Sequence, residues 1–239
     1  MKTSNKIMIG LLLVLIAIPA SIMVAFSYKI KNDDFVILMW DQEARSVQPV
    51  KNAACLKLQA PEGVELQCTI RYADSIYYKR WNSTQNDSLF VSNIGDTLLF
   101  RYLPVADEPS QEERGSINVE IFLPFQGLLM IDGADVTLDS IGASQNITVN
   151  MENNALLQIG NLSEKLKRID FGMLSVEAEN SQVTVHPGAE VREMNLTLSG
   201  RSVLSIDSAA RIGLLQGSVS AASRLNGEAR YLYRLKAEE

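Results

Sequence analysis

From Cys55 to the C-terminus, apolar residues fall at alternate positions in short runs separated by turn residues. That period of two is the mark of half-buried β-strands. Leu56 and Leu58 alternate with polar neighbours, as do Val64, Leu66, Cys68 and Ile70, with Pro61-Glu62-Gly63 between the two runs. The spacing suits an antiparallel hairpin closed by a three-residue loop, with Gly63 in the left-handed conformation. It pairs Leu58 with Leu66 and Leu56 with Cys68. Cys55 then points to the other face, and both cysteines are expected to stay unpaired, because a one-residue slip that brought them together would expose the whole apolar set. Further strands are predicted over 76–81, near 88–91, over 97–102 with Ile94-Gly95-Asp96 as the turn before it, and over 117–123.

Beyond residue 128 a longer period is superimposed on this alternation. Five six-residue units begin at Ile131, Met151, Ala178, Leu198 and Ser218, spaced 20, 27, 20 and 20 apart. Their third column reads Gly133, Asn153, Asn180, Gly200 and Ser220. Glycine and then asparagine tolerate positive φ best, so the column is expected to mark one corner turned once per unit. A repeat near 20 residues with β-rich flanks predicts stacked β-coils. The seven extra residues of the 27-residue interval fall within the charged stretch 161–170, read as a surface excursion. Ser218, Ser220 and Ser223 replace apolar residues in the last unit, and Lys236-Ala237-Glu238-Glu239 is read as a polar tail.

The first fifty residues follow another pattern. Residues 7–28 form 22 positions without a charge, bracketed by Lys2 and Lys6 before and Lys29 and Lys31 after. At ~1.5 Å per residue this helix would extend roughly 33 Å, enough to cross the hydrocarbon core of a bilayer. The competing reading is a cleaved signal peptide, for which Ala25-Phe26-Ser27 is the best approximation to a cleavage site. The balanced lysines barely discriminate orientation. The apolar run Phe35-Val36-Ile37-Leu38-Met39-Trp40 is read as a strand, and the polar stretch 107–115 as a loop. The expected organisation is a transmembrane anchor with its flanks over 1–32, an N-terminal β segment over 33–116 and the repeated region over 117–235.

Residues 119–143, Val-Glu-Ile-Phe-Leu-Pro-Phe-Gln-Gly-Leu-Leu-Met-Ile-Asp-Gly-Ala-Asp-Val-Thr-Leu-Asp-Ser-Ile-Gly-Ala, together with Leu196-Thr-Leu-Ser-Gly-Arg-Ser-Val-Leu204 and Gly95-Asp96-Thr97-Leu98, resemble the head GIN domain family. The resemblance runs from about Val47 to Arg224. It implies an all-β, right-handed parallel β-helix-like solenoid of the bacterial extracytoplasmic space, adhesin-like and without catalytic residues. Asn153 and Asn180 stand where that family favours Gly, and the final unit lacks a clear Ser-Gly pair. Fold alone does not fix function.

Composition narrows the function classes. A formal charge of −6 with acids and bases interspersed argues against a nucleic-acid binder, which would carry a basic stripe. One histidine and two cysteines leave too few ligands for a zinc site of several Cys and His. His186, followed by Pro187-Gly188, reads as a turn residue, and no nucleophile elbow accompanies it. Asp132, Glu152 and Glu179 share the column before the corner. Stacked about 4.8 Å apart, they could bind a cation or act on a sugar, although acids are also ordinary neighbours of turns. Glu177 lies two residues from Glu179 on the same strand face. Tyr77 and Trp81 interleave with Lys79 and Arg80 in a strand that could stack on sugars, or form one aromatic and one solvated basic face. Five Asp-Ser/Thr-apolar tripeptides, at Asp74, Asp87, Asp96, Asp139 and Asp207, are similar to an O-glycosylation signal of some bacterial exported proteins, and are equally ordinary turn chemistry. The reading is a non-enzymatic binding or scaffold module, anchored in the inner membrane with its β domain outside the cytoplasm, requiring no cofactor and meeting envelope proteins or glycans. Its rivals are a carbohydrate-active enzyme using the stacked carboxylates and a self-assembling β-helix.

Overall fold

The computed structural model describes residues 53–61, 64–82, 88–103, 116–124, 127–140, 146–160 and 169–238. The predicted membrane segment, the apolar run at 35–40 and the polar loop at 107–115 lie outside them. The chain divides into two compact units, Met1–Gln42 and Glu43–Glu239, and every described element belongs to the second. Among the described residues no helix is long and apolar enough to cross a membrane.

This unit is all-β and consists of two sheets whose strands are mostly parallel. In spatial order the nine-stranded sheet holds β17 (Leu235–Glu238), β15 (Arg211–Ser220), β13 (Ala189–Ser199), β11 (Ile169–Glu179), β9 (Asn146–Glu152), β7 (Gly127–Asp132), β1 (Cys55–Gln59), β5 (Thr97–Leu103) and β4 (Ser88–Ile94). The eight-stranded sheet holds β16 (Arg224–Asn226), β14 (Val203–Ile206), β12 (Gln182–Val185), β10 (Leu156–Ile159), β8 (Asp135–Ser140), β2 (Glu65–Tyr72), β6 (Ser116–Leu123) and β3 (Tyr77–Asn82). From β7 to β16 successive strands alternate between the sheets, and each lies parallel to the strand before last. Only β3 on β6 and β4 on β5 run antiparallel.

Alternation builds the core between the sheets. Along one inward line of the nine-stranded sheet, Phe100, Leu58, Ile131, Met151, Ala178, Leu198 and Val219 stand side by side, all buried. Facing them, Val119, Cys68, Val136, Leu157, Val183 and Leu204 form a line in the eight-stranded sheet. Each aliphatic side chain withdrawn from water in this way contributes about 1.5–3 kcal/mol.

Two expectations about strand pairing fail here, and one physical reason covers both. β1 and β2 do not form a hairpin; β1 lies between β5 and β7 in one sheet, and β2 between β6 and β8 in the other. Leu56, Leu58, Leu66 and Cys68 all face inward as predicted, but across the core rather than along a ladder. A period of two reports which side of a strand is buried and not which strand pairs with it. The turn after Pro61, whose carbonyl accepts from Val64 N at 3.3 Å, is therefore a corner between sheets. For the same reason the N-terminal strands do not all cap one end. β3 and β4 close the two sheet edges there, while β1 and β2 are interior. The β4–β5 hairpin forms as predicted, with Gly95 at φ +60° in the turn.

The cysteines are unpaired, as expected, because they sit in different sheets. Ile169 and Asp170 are not the end of an excursion: they begin β11, opposite Ala189 and Glu190. The supposed polar tail is also a strand, with Lys236 paired to Ser218 in β15. Between β16 and β17 a short helix α1 (Ala229–Leu232) places Tyr231 over the end of the core, where its hydroxyl donates to Ala210 O at 2.9 Å.

Candidate functional site

The corner that follows β7, β9, β11, β13 and β15 is built as the repeat column implies, with one correction. Gly133, Asn153, Asn180 and Gly200 have φ of +67°, +59°, +47° and +61°. Ser220 is not among the positive-φ residues. The register explains why: Leu198 pairs with Val219, a spacing of 219 − 198 = 21 residues, so the last unit is longer by one and Ala221, not Ser220, follows the strand in the place of Gly200. Ser220 instead sends its hydroxyl to Gly200 O at 3.0 Å. Alignment at a fixed period of 20 missed this insertion. Asn154, at φ +61°, is a second left-handed residue in its corner that the columns also missed.

Behind the corner runs a line of small residues the sequence reading overlooked. Ser181 and Ser202 are the buried polar side chains of the described core. Ser202 Oγ donates to Ser199 O at 2.7 Å and accepts from Ser181 N at 3.2 Å, so each corner is tied to the one before it. The signal was present as Ser at 181, 202 and 223, spaced 21 apart.

On the outward side of the nine-stranded sheet, the rows just before the corner carry the predicted acids. Asp132 pairs with Glu152 across β7 and β9, and Glu179 with Ser199 across β11 and β13. The three acids do not act as one set. Asp132 is committed on both oxygens: Gln59 Nε2 donates to Oδ2 at 2.9 Å and Asn153 Nδ2 to Oδ1 at 2.7 Å. Arg101 Nε in turn donates to Gln59 Oε1 at 2.8 Å, giving a hydrogen-bonded line from Arg101 through Gln59 to Asp132. No motif marked Arg101 or Gln59, because only the placement of β1 between β5 and β7 brings them beside Asp132. Glu152 and Glu179, with Glu177, Lys57, Asn150 and Thr197, line an open depression of about 310 Å³ on this face. Asn150 Oδ1 at its floor is shielded from solvent and has no hydrogen-bond partner. A second hollow of about 660 Å³ lies at the corner side, between Arg101, Leu103, Asn153 and Asn154, and shares Asp132 with the first. Among the described residues no group of three or more His, Cys, Asp or Glu side chains is arranged to hold a metal ion.

Tyr77 and Trp81 lie elsewhere, on β3 at the edge of the eight-stranded sheet. The expected division into an aromatic and a basic face does not hold, since strand alternation puts Tyr77, Lys79 and Trp81 on one side and Tyr78 and Arg80 on the other. Tyr77 stacks on Phe122 with ring centres 4.4 Å apart, and Lys79 Nζ stands 5.4 Å from the Phe122 ring centre. Tyr78 meets Phe100 edge-on at 5.2 Å in the core. Beside Phe122, Arg71 bridges Glu120 at 3.1 Å and Asp139 at 2.7 Å.

Three titratable groups are shifted. Burial, and secondarily the Glu65 carboxylate, raises the Asp135 carboxyl above its ordinary range. Burial holds His186 below the usual imidazole value against the opposing pull of Asp207. Its Nε2 lies 3.0 Å from Gln158 Oε1, and its carbonyl closes the predicted turn by accepting from Ala189 N. Burial, and then Asp135, pushes the Cys68 thiol far up, so it is no nucleophile.

No family model matches the chain, so the resemblance to the head GIN domain family stays at the level of short motifs. No curated protein matches it either. Among solved structures the chain is similar to a "putative cell adhesion protein" from Clostridium sporogenes ATCC 15579, at 9% identity over 81% of this chain and 98% of that one, with a TM-score of 0.33. A likeness that loose assigns neither fold nor role.

Proposed function

We propose that this chain is a non-enzymatic, adhesin-like binding or scaffold module, tethered by its N-terminal apolar segment and displayed outside the cytoplasm on a bacterial cell envelope. In this reading each pair of strands joined by a corner is one winding of a right-handed parallel β-helix-like solenoid, the hand that crossovers between parallel strands adopt almost without exception. The observation that carries the reading is the outward face of β9, β11 and β13. There the side chains stand in open polar lines, Asn150, Glu177 and Thr197 in one and Glu152, Glu179 and Ser199 in the next. Side chains presented at the strand spacing of about 4.8 Å suit many modest contacts with an extended partner. Asp132, the acid that would complete a catalytic or cation-binding row, is already saturated by Gln59 and Asn153.

The test is crosslinking on intact cells expressing the full chain. Envelope proteins or glycans should be captured by the parent, and several-fold less by a Glu152→Gln, Glu179→Gln variant. Failure to enrich either class sinks the binding reading. Glycan turnover by the parent that the double variant loses would replace it with the enzymatic one. Protease accessibility in intact and permeabilised cells tests the display outside the cytoplasm independently.

A further inference from the structure

Two sheets expose four edges, and an unpaired edge strand invites pairing unless it is short, charged or interrupted. Among the described residues three of the four are protected. β3 carries Lys79 and Arg80, β16 is three residues long, and β17 is four residues long with Lys236 and Glu238. β4 has none of these devices. It runs seven residues, Ser-Leu-Phe-Val-Ser-Asn-Ile, without charge, proline or bulge, in unbroken register with β5.

Its outward face is also apolar. Leu89 and Val91 pack inward against the core, so Phe90 and Ile94 alternate outward and are 45% and 64% exposed. Leu103, across from Ser88 on β5, is 39% exposed. Of the five exposed large hydrophobics among the described residues, this one hairpin holds three, which makes it a patch and not scatter.

We infer that β4 is a self-pairing edge through which a second copy of this chain docks antiparallel, continuing the nine-stranded sheet across a two-fold axis. Electrostatics selects that occupant. A two-fold places identical residues near one another, so like charges meet on any charged edge, and β3 and β17 are excluded by their own lysines and arginine. β4, with no charge from Ser88 to Ile94, is the edge that tolerates the symmetry, while offering a charged partner nothing complementary. The nearest charge of the hairpin, Arg101, is turned to Gln59. The side-chain sizes fit as well. A two-fold centred on Val91 sets Phe90 against the second copy's Ser92, Ile94 against its Ser88 and Leu89 against its Asn93, so each large side chain meets a smaller one. Seven residues of ladder make a modest interface.

The experiment uses the full chain in its native membrane, with Cys55→Ser to silence the half-exposed thiol. Two differently tagged copies, one Phe90→Cys and the other Ser92→Cys, are coexpressed and exposed to a mild oxidant. The mixed pair should form a disulfide-linked dimer several-fold more than Phe90→Cys with itself. In a second measurement, a lysine-reactive crosslinker should join tagged copies of the parent at least tenfold more than copies carrying Phe90→Asp and Ile94→Asp with unchanged far-UV circular dichroism. Equal yields in the mixed and single pairs overturn the register. Undiminished crosslinking in the aspartate variant overturns the surface. A chain that stays monomeric, with β4 amides protected from exchange in membranes but not in detergent, assigns the patch to lipid and overturns the second copy. Disulfide or crosslinked products with a different protein overturn it too.

Discussion

Gly200 sits against Asn180 of the preceding corner: a β-carbon on Gly200 would lie 2.3 Å from Asn180 Oδ1, the oxygen that accepts from Arg201 N at 3.1 Å. Two constraints therefore meet at one residue, a left-handed backbone at φ +61° and a side chain from the neighbouring winding filling the space. Gly200→Val should lower stability by about 2–3 kcal/mol, or roughly 6–10 °C in Tm for a chain of this size. Gly200→Asn should cost less than Val, because Asn accepts the backbone but not the contact. Thermal melts of the three proteins check the order, and an unchanged Tm for the valine variant would refute this account of the corner.

The pH dependence has a sign fixed by two groups. Asp135 has its folded pKa raised above the ordinary 3.8, chiefly by burial. Its contribution is most favourable while the carboxyl is protonated and is lost as pH rises from the unfolded value through the raised folded one. Asp135→Asn should then melt above the parent at neutral pH, the gap closing below the unfolded value. His186 has its folded pKa lowered from 6.5, again chiefly by burial. Its contribution is present above that value and is lost as pH falls through the folded pKa. His186→Gln should flatten the decline in Tm below pH about 6.5, the unperturbed imidazole value.

Thiol chemistry separates the two sheets. Cys55 is half-buried and Cys68 is fully enclosed with its pKa raised. A thiol reagent should modify Cys55 alone in the native protein and both residues after unfolding. Simultaneous modification of both under native conditions would place Cys68 outside the core.

At the far end, Tyr231 closes the core with a helix of four residues. Tyr231→Ala should cost about 3–4 kcal/mol by the usual scale for deleting a packed aromatic. Because β17 follows it and pairs with β15, amide exchange should quicken over 217–220 and 235–238 before it quickens anywhere in β11 or β13.

Periodicity made the inward residues legible from β1 through β15, because burial on one side of a strand writes itself into every second position. The corner column was legible at Gly133, Asn153, Asn180 and Gly200 because positive φ restricts the residue. It failed at Ser220, where an insertion of one residue leaves alternation undisturbed on either side. Strand order was not legible at all. Nothing in Leu56-Lys57-Leu58 says that its neighbours are Thr97–Leu103 and Gly127–Asp132, and the link from Arg101 to Asp132 depends entirely on that order. Glycine at 127 was the one local trace: a β-carbon there would lie 2.2 Å from Ala54 O, so the chain passes too close to β1 for any side chain.

The interior place of β1 has a mechanical consequence. A pull on the N-terminal side of the fold runs along β1, which is hydrogen-bonded in parallel to β5 on one flank and β7 on the other. Such a load falls in shear on two ladders at once, whereas an edge strand such as β17 would unzip one bond at a time. A module gripped at one end and tugged at its surface would thus resist extraction at the point where the force comes in.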